Sequence, residues 1–189
     1  MKNIFFVTSN RNKLREAEAI LGIRLNHVNL DIREVQSMNV EDVVKGKAKK
    51  AYELIKKPVL VEDTGFYISN ANNFPGALVK WVLKTLGTEG LCNIASLNKT
   101  EKSREATVKT CYCLFDGKRY RLFAGELKGT VPNKPRGTTN FGWDPCFEPK
   151  YNNPDKKTFA EMTAQEKNLL SMRKIALEKL RKYIRAHSH

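Results

Sequence analysis

The sequence predicts an α/β fold built on a mixed β-sheet. Three observations carry that reading. Short apolar runs of strand length, at 4–7 and 58–61, alternate with stretches whose apolar residues recur at helical spacing. Further on, two long stretches rich in Val, Thr, Tyr and Phe flank Asp116-Gly117, a strong hairpin signal. No apolar run approaches the ~20 residues a membrane helix needs. Alternation favours parallel strands and the hairpin adds antiparallel ones, so the sheet is mixed. The 189 residues show no internal repeat, low-complexity tract or long linker, so one folding unit (1–189) with a cleft is the economical reading.

The elements follow in order. Residues 3–8 read as a buried strand, followed by the polar turn Ser9-Asn10-Arg11-Asn12. A helix then carries Leu14, Ala17, Ile20 and Leu21, with Gly22 as its stop signal. Residues 28–32 suit a second strand. A longer helix from about 41 to 56 has the stripe Val44, Ala48, Ala51, Tyr52 and Ile55. Residues 59–62 form a continuous apolar run before a turn, as expected of a buried central strand. Two helical stretches come next, one with Val79, Val82, Leu83 and Leu86, the other with Leu91, Ile94 and Ala95. Strands span 104–115 and 118–127, and 132–142 is a Pro- and Gly-rich loop. The last helix opens on Thr163-Ala164-Gln165-Glu166, which fits a capping box, and runs to about Arg185.

Composition narrows the class. A hydrophobic fraction of 41% excludes wholesale disorder. Only Lys2 precedes the first apolar run, which is too short for a signal-peptide core, so the expected location is the cytoplasm. Cys92, Cys111, Cys113 and Cys146 have neither zinc spacing nor the density of a disulfide scaffold, and reduced thiols are expected. The net charge of +14 favours an anionic partner without naming it, and a solvated final helix explains Lys174, Lys179, Arg181, Lys182 and Arg185.

Four stretches carry chemistry. Thr8, Ser9, Asn10, Asn12 and Lys13 lie between a strand and a helix start, where unpaired N–H groups and the helix dipole favour phosphate. An ordinary asparagine-capped turn is the competing reading. Glu62 and Asp63 end an apolar strand, and adjacent carboxylates are costly to hold together without a cation or hydrogen bonds. Magnesium, which prefers oxygen ligands and keeps waters, would serve, and a capped turn is the alternative. Phe141-Gly142-Trp143-Asp144-Pro145 sets two aromatics around a glycine beside an acid, suited to stacking on a nucleobase or to simple core packing. In the last helix, Arg173 falls within the apolar face of Leu169, Ala176, Leu177, Leu180 and Ile184. A charge there needs a partner or must snorkel outward; facing a ligand pocket would also suit it.

Together these stretches resemble the inosine triphosphate pyrophosphatase family, the Ham1-like proteins. The markers are Thr8-Ser9-Asn10-Arg11-Asn12-Lys13, Val59-Leu60-Val61-Glu62-Asp63-Thr64-Gly65, Phe74-Pro75-Gly76, Phe141-Gly142-Trp143-Asp144-Pro145 and Thr158-Phe159-Ala160-Glu161-Met162, in order over nearly the whole chain. The resemblance implies a two-lobed unit with a long mixed sheet flanked by helices and an active site in the cleft between lobes. It implies a homodimer that uses Mg2+, with Mn2+ as a substitute. The implied reaction splits non-standard purine triphosphates (ITP, dITP, XTP) into monophosphate and pyrophosphate. By position, Thr8 to Lys13 match a phosphate-binding loop, and Lys47 and Lys80 match substrate lysines. Glu34 and Asp63, with Glu62, match the metal site, and Asp63 also matches the general base. Phe141, Gly142, Trp143, Asp144, Lys167, Ser171 and Arg173 match the nucleoside pocket. Met172 stands where the family usually has histidine.

The implied chemistry is coherent. A free aspartate has a pKa near ~3.9, so Asp63 works as a base only if a metal acidifies its water. Arg173 is donor-only and would serve the 6-oxygen of hypoxanthine or xanthine but not the adenine amine. A pyrophosphatase of broader base range is the nearest alternative. A basic nucleic-acid-binding protein fits the net charge, but Glu34, Glu62, Asp63 and Asp144 disfavour a phosphate backbone.

Overall fold

The computed structural model describes residues 4–97, 104–138 and 141–187. Asn3, assigned by sequence to the first strand, and Thr139 and Asn140 of the Pro/Gly-rich loop lie outside them. Seven strands form one mixed sheet in the order β2-β1-β3-β5-β6-β7, with β4 on β3. They are β1 (Phe5–Val7), β2 (Asn26–Val28), β3 (Val59–Ile68), β4 (Pro75–Gly76), β5 (Glu105–Phe115), β6 (Tyr120–Thr130) and β7 (Glu148–Pro149). The five α-helices are α1 (Arg11–Leu21), α2 (Val40–Ile55), α3 (Val79–Ile94), α4 (Ala164–Leu170) and α5 (Met172–Ala186). β1 pairs parallel with β2 and β3, whereas β4 and β7 pair antiparallel with β3 and β6. The sheet is therefore mixed, as expected.

The chain forms two compact units. The first comprises Met1–Thr64, Thr110–Gly125 and Met172–His189, the second Gly65–Lys109 and Glu126–Ser171. Phe6, Leu60, Tyr112, Leu114 and Phe123 from the strands pack with Ala17 and Leu21 of α1 and Ala176, Leu177 and Leu180 of α5 in the first core. α1 ends where Gly22, at φ 68, adopts a left-handed conformation that a glycine takes without steric cost. Gly125 of β6 serves a different need. A Cβ there would strike the backbone of Met172 and Ala176, so glycine lets the start of α5, with Arg173, lie against β6. The second unit is built on an aromatic cluster in which Phe66 meets Trp143 and Phe147 at 5.3 and 5.9 Å between ring centroids, with Phe159 5.4 Å from Phe147.

Several expectations change. The strand expected to end at Glu62 continues through Ile68, so the paired acids sit inside β3 and not at its end. The Asp-Thr-Gly sequence reads as a turn, but the Thr64 hydroxyl finds Glu62 at 2.6 Å and Thr110 at 3.0 Å and stays in the strand. The second strand lies earlier, at Asn26–Val28. The last helix is two: Ser171, at ψ 147, breaks it between α4 and α5. As a result Leu169, expected on the buried face, is 66% exposed. The two helical stretches expected after β4 are both present, and α3 is kinked between them by non-helical backbone at Gly87 (φ 69, ψ -171). The capping box at Thr163 and Glu166 is present.

Candidate active site

In the first unit, β1 delivers Thr8 to the start of α1. Its hydroxyl accepts from the Asn10 backbone at 3.1 Å, and the Asn10 carboxamide accepts from the N–H groups of Asn12 and Lys13 at 3.0 and 3.2 Å. The asparagine cap thus satisfies donors that phosphate would otherwise use. Ser9 and Asn12 remain exposed beside it. The cap also fixes Lys13, one turn into α1. Its ammonium lies 3.1 Å from Glu62 Oε2 and 3.3 Å from Asp63 Oδ1. Burial works against that charge, but the Glu62 and Asp63 carboxylates outweigh it and hold Lys13 above its ordinary pKa.

Glu62 is buried and heavily engaged. Its Oε1 accepts from Thr64 Oγ1 at 2.6 Å and from Arg173 Nη2 at 3.2 Å. Arg173 also pairs with Glu16 through Nη1. The guanidinium is 2% exposed, and burial pushes its pKa down to about 10, which leaves it charged at neutral pH. The buried arginine on an apolar helix face therefore has carboxylate partners, which favours pairing over snorkelling. Sequence reasoning missed Glu16. Its signal was spacing: it lies three residues after Lys13 on the same helix, hence on the same face.

Glu34 is paired with Lys47 of α2 at 2.7 Å. Among the described residues no three His, Cys, Asp or Glu gather in a way that could hold a metal ion. Glu34, Glu62 and Asp63 thus form no ready cage. Lys13 and Lys47 stand against these acids and neutralise them. Asp63, with its side chain 14% exposed, is more open to solvent than Glu62 at 0%.

The second unit groups the other candidates. Lys167 of α4 donates to Asp144 Oδ2 at 2.6 Å, and both are buried. Burial raises the Asp144 pKa, with the Lys167 charge opposing. The Lys167 ammonium also lies over the Phe141 ring, 4.6 Å from its centroid. Phe141 is half-buried, whereas Trp143, 8% exposed, belongs to the aromatic core. Of the two aromatics, only Phe141 has surface to offer a ligand. Gly142 beside it is exposed, at φ 61, with open space around its Cα. Ser171, the last residue of the second unit, is buried and ends α4 with its N–H on Lys167 O; Met172, buried at the start of α5, belongs to the first unit. Lys80 of α3 is exposed next to Trp81.

The paired acids in β3, the capped loop before Lys13 and the Phe141–Asp144 turn occur in one order along a chain whose residues 4–183 match the model of the Ham1 family. The chain belongs to the Ham1 family. It is 42% identical to the inosine triphosphate pyrophosphatase of Tuber melanosporum, with 98% of each chain covered. It is 40% identical to that of Schizosaccharomyces pombe, covering 100% of this chain and 98% of the other. Among solved structures, a HAM1 protein from Coxiella burnetii superposes with a TM-score of 0.81 at 26% identity, covering 97% of this chain and 98% of that one. A dITP/XTP pyrophosphatase from Mycobacterium abscessus gives 0.72 at 25%, covering 94% and 97%. The fold expected from sequence is thus that of the Ham1 proteins.

Proposed function

We propose that this chain hydrolyses inosine- and xanthosine-type triphosphates (ITP, dITP, XTP) to the monophosphate and pyrophosphate. The observation that carries the reading is Lys13 set between Glu62 and Asp63, with Glu62 fixed by Thr64 and Arg173. Such a cluster suits a polyphosphate and a divalent ion. Family membership and the names of the relatives support the substrate class.

The donor set fits Mg2+, with Mn2+ as a substitute. Magnesium is commonly bound through one or two carboxylates plus substrate phosphates, with waters completing its shell, so no three-acid cage is needed. Asp63 would hold it, with Glu62 behind and Glu34 as a further carboxylate. When bound, the ion supplies charge neutralisation on the phosphates and acidifies a water.

The chain's own groups do the rest. Lys13, Lys47 and Lys80 hold phosphate oxygens, helped by Thr8, Ser9, Asn10 and Asn12. Asp63 orients the attacking water and takes its proton. The water oxygen bonds to the α-phosphorus, the α–β bridge breaks and pyrophosphate leaves. Phe141 stacks on the purine, beside the open backbone of Gly142 and on the turn that Trp143 anchors. Lys167, held by Asp144, presents a donor to the 6-oxygen, since an ammonium has three N–H groups. Arg173 first serves to order Glu16 and Glu62, and Ser171 and Met172 set the break from which it projects.

The adenine 6-amino group faces donors only and is disfavoured. A homodimer in the cytoplasm belongs to the same proposal. Exposed Trp81 and Leu86 on α3 offer apolar surface to a second copy, and no helix among the described residues is long and apolar enough to cross a membrane. Pyrophosphate release from ITP, XTP, ATP and GTP with Mg2+ tests the reading. ITP turnover well above ATP is expected; equal rates for all four would leave a general nucleotide pyrophosphatase. With 18O-water, label should enter the monophosphate. Label only in pyrophosphate would contradict attack at the α-phosphorus.

A further inference from the structure

Two thiols outside the proposed chemistry lie together in the second unit. Cys92, on the last turn of α3, and Cys146, in the short turn Asp144–Cys146, are each 0% exposed. The Cys146 thiol donates to the Thr88 carbonyl at 3.3 Å. Thr88 is four residues before Cys92 on α3, and a helical side chain lies over the turn preceding its own Cα. Cys146 therefore sits where the Cys92 side chain points, within hydrogen-bond reach of its sulfur.

We propose that Cys92 and Cys146 are a peroxide-responsive dithiol, whose disulfide ties α3 to the turn that carries Asp144. The two sulfurs differ in their surroundings. Once Cys92 ionises, the Cys146 S–H turns from Thr88 O to its sulfur and favours the thiolate, burial opposes it, and the Arg104 guanidinium, which donates to Cys92 O at 3.0 Å, adds a nearby positive charge. Cys92 is shifted toward the thiolate, while Cys146 keeps its proton. Cys92 is thus the nucleophile and Cys146 the resolving thiol.

The step balances with hydrogen peroxide as oxidant. The Cys92 thiolate attacks one peroxide oxygen, the O–O bond breaks, and sulfenic acid and hydroxide form. Cys146 then attacks the Cys92 sulfur, a disulfide forms, and the sulfenic oxygen leaves as water with the thiol proton. Two thiols are oxidised by two electrons, and one peroxide becomes two waters. Cys113, whose thiol burial pushes up to about 12, is a built-in control.

The test takes the full reduced chain, treats it with hydrogen peroxide and alkylates it after denaturation. Two of the four thiols should be lost, restored by dithiothreitol, with peptides bearing Cys92 and Cys146 linked. Cys92→Ser should retain every remaining thiol, Cys146→Ser should lose only Cys92, as its sulfenic acid and with no bridge formed, while Cys113→Ser should still lose two. Four alkylated thiols, a bridge through Cys111 or Cys113, or a bridge between chains would overturn the proposal. No nucleotide enters the assay, so the result is independent of whether the chain hydrolyses ITP.

Discussion

The two units solve the problem of buried charge differently. In the first, Lys13, Glu16, Glu62, Asp63 and Arg173 form one chain of ion pairs in which Lys13, Glu62 and Arg173 each meet two opposite charges. In the second, Lys167 and Asp144 form a pair at 2.6 Å over the Phe141 ring. A shared network fixes positions, as a metal–phosphate centre requires. A pair laid against an aromatic face leaves donors for a base. The comparison teaches that removing one group should cost fold or chemistry in the first unit and selectivity in the second.

The largest expected effect comes from Asp63→Asn. The amide keeps the shape of the carboxylate and loses its charge, so ITP turnover should fall by roughly 10³-fold with little change in Tm. Near wild-type turnover, read as pyrophosphate release, would break the comparison at its stronger end.

Arg173→Met comes next, and its main readout is stability. It leaves Glu62 buried without its guanidinium, and breaking a buried pair in this way costs about 3–5 kcal/mol. Urea denaturation would report it. A loss under about 1 kcal/mol would mean that Lys13 and Thr64 alone suffice to hold Glu62.

Lys167→Met should act mainly on base choice. It removes the donor proposed to face the 6-oxygen, worth roughly 1–3 kcal/mol, so the ITP-to-ATP ratio of kcat/KM should fall about tenfold. If ITP and ATP slowed equally, Lys167 would be a structural residue. Burial raises the Asp144 pKa, so the folded state binds that proton more tightly than the unfolded chain does. That contribution favours the fold at low pH and fades as pH rises from the ordinary 3.8 through the raised value.

The smallest effect lies away from both centres, in the turn between β5 and β6. Asp116 accepts from Arg121 at 2.8 Å and from the N–H groups of Lys118 and Arg119 at 2.9 and 2.8 Å. The Arg121 and Arg119 bonds lead in lowering its pKa to about 2. A lowered acid stabilises the fold above its unfolded pKa, so this contribution is present above 3.8 and disappears as pH falls through about 2. Asp116→Asn should flatten the acid limb of the stability profile slightly, since the pair is only half-buried and water screens it. An unchanged limb would show the turn to be neutral.

What the sequence made legible follows the same division. The stripe of α2, the Asp116-Gly117 hairpin and the capping box are local patterns, and they emerged where expected. The acids of β3 were found, but their place inside the strand was not. That place depends on Thr110 from β5, a partner 46 residues from Thr64. The Ser171 break was equally hidden, because apolar spacing runs on across it and neither Gly nor Pro marks it. Arg173 was seen as a charge needing a partner, yet Glu16 lies 157 residues away in sequence and only folding joins them.

The proposed divalent-ion binding at Asp63 is most directly measured with Mn2+. Its affinity can be titrated by electron paramagnetic resonance in the presence of a non-hydrolysable ITP analogue, for the native chain and for Asp63→Asn. The account predicts binding at least about tenfold weaker in the variant, a difference of ~1.4 kcal/mol. Equal affinity in the two proteins would contradict it.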